Sequence, residues 1–358
     1  MLQSILNSKS GFNNSLHGFR GIAALMVYLG HSVNGYREHL CSGCSAAPVM
    51  EQFYFLGAYG VEVFFFLSGY VIFSASLKVD SKNFISHRFW RIYPVFLLFT
   101  ILFFVLNHFL QKWPEKDSLM ALLANITFID RFVDTKPLSP NAWSITFEVW
   151  YYIMTFTLLR PLIVRKHYIL SFLALGLWCY FIVKFPITLY YILGVLINIG
   201  LRKYQSRLSY MPDFAANIIQ WLALGLVIWL AFVDDYTYKW HVLVESPEIW
   251  LLMLALTTFM AFLFHPASII ARWLCAAPLM SLGTVSYTLY LAHPYSYLVA
   301  RMLSQKLVEA GMDFSLVTVI YIVTNILLTV TLVVAVHNWV EKACYKKGTG
   351  KDIYTPSV

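Results

Sequence analysis

The sequence is poor in charged residues, and this scarcity is the first guide to its class. Asp, Glu, Lys and Arg make up 12% of the 358 residues, whereas a soluble globular domain carries about 25%. Hydrophobic residues reach 59%, and the mean hydropathy is +0.66. This balance excludes a water-soluble domain, and we expect an integral membrane protein.

Three other features are missing. The first 15 residues lack the apolar core and the small-residue cleavage site of a secretory leader, so we expect no cleavable signal peptide. The net charge of +8 comes from short basic clusters between apolar runs, which does not indicate nucleic-acid binding. No internal repeat or low-complexity linker divides the chain. We therefore expect an N-terminal cytoplasmic segment at 1–15, one membrane domain at 16–341 and a cytoplasmic tail at 342–358.

Cysteine is scarce as well. Of the five cysteines, only Cys41 and Cys44 are close together, in C-S-G-C. This spacing suits either a disulfide or half of a zinc site, but two further ligands are not found nearby. We expect no metal, and the sequence leaves the disulfide open.

Long apolar runs are what the chain has in abundance. A transmembrane helix needs about 17–25 mostly apolar residues. Ten candidate spans lie at about 17–36, 55–77, 92–111, 142–164, 168–183, 185–201, 214–233, 248–265, 274–300 and 314–337. The fifth and sixth are short and are separated by Pro186, and the run 118–129 is too short to cross. The predicted fold is therefore all-α, a polytopic membrane protein with about ten transmembrane helices.

The distribution of Lys and Arg predicts the orientation, because cytoplasmic loops carry an excess of them. With the N-terminus inside, most of the 26 basic residues fall in inside segments. Asp234, Asp235, Glu245 and Glu248 gather in one outside loop. Both ends are then basic and cytoplasmic, so we predict an N-in, C-in topology.

Arg20 and His31 are the first candidate functional pair, in L-H-G-F-R-G-I-A-A-L-M-V-Y-L-G-H-S. Eleven steps of about 100° return to nearly the same helix face and rise about 16 Å. One helix would then hold a cation near one membrane surface and an imidazole deep in the bilayer. Ionisable groups are expensive there, which favours a functional role. The alternative is a snorkelling arginine and a histidine hydrogen-bonded to a neighbouring helix.

Two more polar clusters interrupt the next spans. Glu62 and Ser68 lie in G-V-E-V-F-F-F-L-S-G-Y, whose small residues also suit a helix-packing seam. Arg88 and Arg91 are three residues apart in H-R-F-W-R-I-Y-P, so they share a helix face. They suit phosphate oxygens, although ordinary anchoring at the cytoplasmic surface would also explain them.

A fourth cluster, N-A-W-S-I-T-F-E, enters the fourth predicted span from outside. It begins at Asn141 and contains Trp143, Ser144 and Glu148. Ser144 and Glu148 are four residues apart and share a face. This places a carboxylate inside the membrane, and a structural hydrogen bond is the alternative to a functional role.

The order of these clusters resembles the membrane acyltransferase-3 family, the integral-membrane O-acyltransferases of surface saccharides. The matching motifs are R-G-x-A-A-L-x-V-x-x-x-H, V-E-x-F-F-F-L-S-G-Y, R-x-x-R-I-Y-P, W-S-x-x-x-E and S-Y-x-L-Y-L-x-H-P. The resemblance covers residues 16 to about 345. It implies acyl-CoA, usually acetyl-CoA, as a donor from the cytoplasm, a saccharide acceptor on the other side and no permanently bound cofactor. It also implies a multi-pass protein of the bacterial inner membrane.

The resemblance also implies roles for individual residues. His31 would be the catalytic base, because a histidine takes up a proton near neutral pH. Glu148 would orient the imidazole, stabilise its protonated form or hold sugar hydroxyls. The donor's phosphates would be bound by Arg20, Arg88 and Arg91. The acceptor would be contacted by Glu62, Ser68, Trp143, Ser144 and His293.

The chain departs from the family pattern at its end. Val340-Glu341-Lys342-Ala343 lacks the family's proline, which leaves the role of this segment open. No hydrolase-like domain is expected after the tenth span, so acceptor selection would come from the membrane domain or a partner. The acidic outside loop disfavours a strongly anionic acceptor.

A membrane transporter of a saccharide or small metabolite is the alternative function. Transporters also place Arg, His and Glu inside the membrane. The chain shows no repeat and no paired broken helices, which argues against that class. Oligomeric state is not predicted.

Overall fold

A computed structural model describes residues 13–78, 80–133, 135–159 and 168–353. The predicted segment 1–15 is thus described only from Asn13, and the end of the predicted fourth span lies outside the described residues, as do residues 354–358. The described chain is helical throughout, and no strand occurs in it. The helices are α1 Asn14–Leu40, α2 Ala47–Ala58, α3 Gly60–Lys78, α4 Ser81–Leu110, α5 Leu119–Ile126, α6 Ala142–Met154, α7 Tyr168–Lys184, α8 Leu189–Ser209, α9 Asp213–Val233, α10 Trp240–Glu245, α11 Pro247–Phe262, α12 Ile269–Leu274, α13 Ala277–Glu309, α14 Phe314–Val336 and α15 Lys342–Thr349.

In the described part of the chain, four helical segments are long and apolar enough to cross a membrane. They are Ala47–Leu77, Lys82–Leu110, Asp213–Val233 and Phe314–Thr349. A fifth is reached if α7 and α8 count as one span bent by 118°. The all-α membrane fold is therefore confirmed, whereas ten spans and the N-in, C-in topology stay predictions.

Three local predictions, on Pro186, on the run 118–129 and on the third span, can be compared with the structure. The bend between α7 and α8 falls at the short 3₁₀ turn Pro186–Thr188, as the proline indicated. The run 118–129 contains only the eight-residue helix α5, too short to cross. The predicted third span is longer than expected, because α4 begins at Ser81, where the Asp80 side chain caps Lys82 N. Hydropathy detects only the apolar part of such a helix.

Helices α1 and α13 pack with their backbones in contact. A Cβ atom added to Gly21 would lie 2.6 Å from the backbone nitrogen of Gly283, and one added to Gly283 would lie 2.2 Å from the carbonyl oxygen of His17. Both distances are shorter than real contacts, so only glycine permits this approach. The close packing places the polar residues of the two helices side by side.

The C-terminal segment packs on the start of α4. Chain residues His337–Glu341 form a π-helical turn between α14 and α15. The hydroxyl of Tyr345 on α15 lies 2.7 Å from Nδ1 of His87, and Gly348 lies directly against the ring of Trp90. The end of the described chain thus supports the helix that carries Arg88 and Arg91.

Candidate active site

A cavity of about 1010 Å³ opens between the first turns of α1, the ends of α3 and α8, and the segment around α12. Its lining includes the predicted donor-binding residues Arg20, Arg88 and Arg91, and a further arginine, Arg272. Glu148 is the one acid among the described residues that line it. A cavity with four guanidinium groups and one carboxylate suits a ligand with several negative charges.

Arg88 and Glu148 are connected through Tyr152. The guanidinium of Arg88 lies 5.3 Å from the ring centroid of Phe84 and 5.5 Å from that of Tyr152. The hydroxyl of Tyr152, one turn after Glu148, donates a hydrogen bond to the Glu148 carboxylate. These cation–π contacts hold the guanidinium of Arg88 in the lining of the cavity.

Arg91 is held by a buried acid that the sequence left without a role. Its Nε lies 3.9 Å from Glu341 Oε1, and neither atom has a closer polar partner in the described residues. The other oxygen of Glu341 accepts hydrogen bonds from Thr288 Oγ1 and from His337 Nδ1, both at 2.6 Å. Glu341 is fully buried. The C-terminal π turn therefore supplies the counter-charge for a cavity arginine.

A narrow extension of about 30 Å³ continues from the cavity into the membrane domain. Arg20, Ser68 and Glu148 line both spaces, and Ser144 and Tyr290 line the extension. The hydroxyls of Ser144 and Tyr290 lie 2.6 Å apart. The extension thus runs from the arginines toward the part of α13 that carries His293.

Pro294 explains how His293 is held. A proline inside a helix has no N–H and leaves the carbonyl four residues earlier unpaired. That carbonyl belongs to Tyr290, and it accepts a hydrogen bond from Asn141 Nδ2 at 2.6 Å. The same amide nitrogen lies 3.3 Å from His293 Nε2, while His293 Nδ1–H donates to Leu289 O at 3.0 Å. Both ring nitrogens of the fully buried His293 are therefore occupied.

His31 lies beside His293 but keeps one nitrogen free. Their ring centroids are 5.3 Å apart. The Nδ1–H of His31 donates to Val27 O at 2.9 Å, so Nε2 carries the lone pair and has no hydrogen-bond partner among the described residues. His31 can accept a proton there, whereas His293 would first have to lose its bond to Asn141.

The predicted site residues thus fall into three groups: those that line the cavity or its extension, the two histidines, and Glu62 with Trp143. Arg20, Ser68, Arg88, Arg91, Ser144 and Glu148 line the cavity or its extension. His31 and His293 lie beyond its inner end and line neither space. One helix, α1, carries both Arg20 and His31, as the spacing predicts.

Glu62 and Trp143 lie apart from this line of residues. Glu62 is buried near Tyr238, and its Oε2 has no hydrogen-bond partner in the described residues. Trp143 packs edge-on against Phe65 and lies 5.9 Å from the guanidinium of Arg131. Neither side chain is in the lining of the cavity or its extension.

The sequence analysis gave no role to three residues of this arrangement, Asn141, Tyr290 and Glu341. The His-Pro pair in the late motif was the available signal for Asn141, because the proline frees a carbonyl that needs a donor. Glu341 carried no such signal, since its partner Arg91 is far away in the sequence. The structure also joins Cys41 and Cys44 in a disulfide, which the sequence had left open.

An acyltransferase domain matches the chain over residues 13–335, and the chain belongs to the acyltransferase-3 family. O-acetyltransferase OatA of Staphylococcus aureus (strain NCTC 8325 / PS 47) is 25% identical in an alignment 356 residues long, gaps included, that covers 88% of this chain and 57% of that protein. The proteins of the same name from strains COL and MRSA252 match to the same extent. The chain therefore spans little more than half the length of these curated relatives. No solved structure matches it.

Proposed function

We propose that this protein is a membrane O-acyltransferase that transfers an acetyl group from cytoplasmic acetyl-CoA to a hydroxyl of an extracytoplasmic saccharide. The observation that carries the proposal is the arrangement along α1. A cavity rich in arginine lies at one end, and an imidazole with a free nitrogen lies about 16 Å further along the same helix. Family membership and the printed name of the relatives support the reaction class.

The arginine-lined cavity is the proposed donor site. Arg20, Arg88 and Arg91 would bind the phosphates of CoA through charge-assisted hydrogen bonds. Under the predicted topology this cavity faces the cytoplasm, where acyl-CoA is available. The acyl arm would then follow the extension past Glu148 and Ser144 toward the histidines.

His31 is the proposed general base. Its Nε2 would take the proton of the acceptor hydroxyl as the oxygen attacks the thioester carbonyl carbon. The new C–O bond forms, the C–S bond breaks, and the departing CoA sulfur takes the proton back from the imidazolium. Glu148 would stabilise positive charge along this path, and His293, with both nitrogens occupied, would hold the ring of His31 in place.

The test is to delete the gene in its host and to compare acetyl signals of surface glycans by proton NMR. The proposal predicts that the signals fall on deletion, return with the wild-type gene and stay low with His31→Ala. A transporter would give a different result. Glycan acetylation would then be unchanged, and a labelled saccharide or metabolite would fail to cross the membrane only in the deletion strain.

A further inference from the structure

A second group of cations lies at the far end of α13, away from the arginine-lined cavity. Arg301 follows His293 by eight residues, which is about 12 Å along the helix and about 80° around it. Tyr297 lies between them, and its ring is 6.3 Å from that of His293, centroid to centroid. Gly35 of α1 packs against the Tyr297 ring. Tyr297 is thus one helical turn from both His293 and Arg301.

Arg301 is buried. Only 8% of the residue is exposed, and its Nε has no hydrogen-bond partner among the described residues. Its guanidinium takes part in no hydrogen bond or salt bridge within the described chain. Ser304, one turn further on, has a buried hydroxyl that also has no hydrogen-bond partner in the described residues. A buried donor without a partner is expensive, so Arg301 Nε and the Ser304 hydroxyl on one helix face indicate a ligand with acceptor oxygens.

Two basic groups lie close enough to Arg301 to be affected by its charge. Its charge acts on His39 in the last turn of α1 and on Lys112 in the loop after α4. Burial and the charge of Arg301 together lower the pKa of Lys112. No carboxylate lies within salt-bridge distance of Arg301 in the described residues.

Glu38 is the acid that acts on this neighbourhood, through Tyr297 and His39. It is exposed, and its carboxylate accepts a hydrogen bond from Asn34 at 3.0 Å and lies 3.8 Å from Arg37. Glu38 is therefore engaged elsewhere on α1 and leaves the positive charge around Arg301 uncompensated.

We propose that Arg301, with Ser304 and Lys112, binds an anionic group of the acceptor, a carboxylate or a phosphate, and so places the acceptor hydroxyl beside His31. A guanidinium binds the oxygens of either group in a bidentate manner. This inference rests on the proposed function, because it takes the acceptor to approach His31 from this end of α13. It departs from the expectation that a strongly anionic acceptor is disfavoured, because Arg301 lies on α13 and not in the acidic segment on which that expectation rested.

The test is ligand-dependent thermal stabilisation of the purified protein in detergent, with saturating CoA present to fill the arginine-lined cavity. Methyl β-D-glucuronide and glucose 1-phosphate are the two anionic probes, and methyl β-D-glucoside is the matched neutral probe. A ligand that binds only the folded state raises Tm in proportion to the logarithm of its concentration over Kd. We expect at least one anionic probe to stabilise the protein more than the glucoside does. The stronger of the two identifies carboxylate or phosphate.

Arg301→Gln should weaken the anionic probe at least tenfold, and Arg301→Lys should keep part of the affinity because it keeps the charge. Arg207→Gln, at the exposed end of α8, is the control and should bind as wild type. If Arg301→Gln does not fold, Arg301→Lys combined with Ser304→Ala carries the test with the same direction of effect. Equal stabilisation by the anionic probes and the glucoside, or unchanged anion affinity in the folded variants, overturns the proposal.

Acetyl-CoA binding, measured on the same variants without added CoA, separates this inference from the proposed function. Arg301→Gln should bind acetyl-CoA as wild type does. A wild-type protein that does not bind acetyl-CoA would contradict the proposed function, whatever the anionic probes do. A protein that binds acetyl-CoA and ignores the anionic probes would contradict only the anion site.

Discussion

Two pairs of long helices in this molecule differ in how apolar they are and in what surrounds their side chains. Helices α9 and α14 are mostly apolar, are long and apolar enough to span a membrane and expose side chains such as Leu222 and Leu327, which suits contact with lipid. Helices α1 and α13 are longer than α9 and α14, at 27 and 33 residues. Neither is apolar enough to count as a candidate membrane span. Their polar residues are shielded by each other, because glycines let the two backbones touch.

The comparison shows where chemistry can be placed in a membrane domain. Polar groups are expensive in hydrocarbon, so they gather where helix–helix contact replaces lipid contact. In α1 and α13 these groups form one line from Arg20 to the pair His31 and His293. The following predictions test this contrast, beginning with the largest expected effect.

Replacing His31 with alanine removes the proposed base from the polar pair. We expect the rate of acyl transfer to fall about 10²–10⁴-fold, the usual contribution of a general base, with unchanged expression and acetyl-CoA binding. His241→Ala, at an exposed position of α10, is the control and should retain activity. Near-normal transfer by His31→Ala would remove this residue from the mechanism.

A glycine-to-alanine substitution should change the stability of the protein in opposite directions in the two pairs of helices. Gly283→Ala inserts a Cβ into the α1 backbone and should destabilise the protein by about 1–3 kcal/mol through overpacking. Gly225→Ala on α9, where no atom lies within 4 Å of the new Cβ, should stabilise it slightly, because alanine favours helix by up to about 1 kcal/mol over glycine. Thermal unfolding in detergent measures both. A Tm for Gly283→Ala at or above wild type would refute the close contact.

The cavity arginines should affect donor binding rather than the chemical step. Hydrogen bonds to charged groups contribute about 1.5–3 kcal/mol, so Arg88→Ala and Arg91→Ala should each raise the KM for acetyl-CoA roughly tenfold or more. Lysine should rescue only partly, because it lacks the planar fork. Arg207→Ala at the exposed end of α8 serves as the comparison. An unchanged KM in both alanine variants would make Arg88 and Arg91 topology anchors.

Glu341→Gln should have the smallest effect. It removes the counter-charge from Arg91 while keeping a similar shape, so the KM for acetyl-CoA should change by less than in Arg91→Ala. Combining the two substitutions should add little, because both act on the same contact. Glu309→Gln, at the exposed end of α13, is the matched control. Fully additive effects of Glu341→Gln and Arg91→Ala would show that the buried pair does not work as a unit.

The sequence predicted an all-helical membrane protein and most of the polar residues around the cavity, because both depend on local patterns. Pro186 marked the bend before α8, and the spacing of Arg20 and His31 placed both on one helix. What it could not locate depends on contacts between distant segments. Asn141 and Glu341 act through partners on other helices, and hydropathy placed the start of α4 too late because its first turns are polar.

Cys275 allows the central claim, a donor cavity that opens to the cytoplasm, to be tested most directly. It is a free, exposed cysteine in the lining of the cavity. In a protein with Cys179→Ser and Cys344→Ser, a membrane-impermeant maleimide should label Cys275 in inside-out vesicles but not in intact cells, and acetyl-CoA should protect it. Labelling from outside intact cells, or labelling that saturating acetyl-CoA does not slow, would contradict the account.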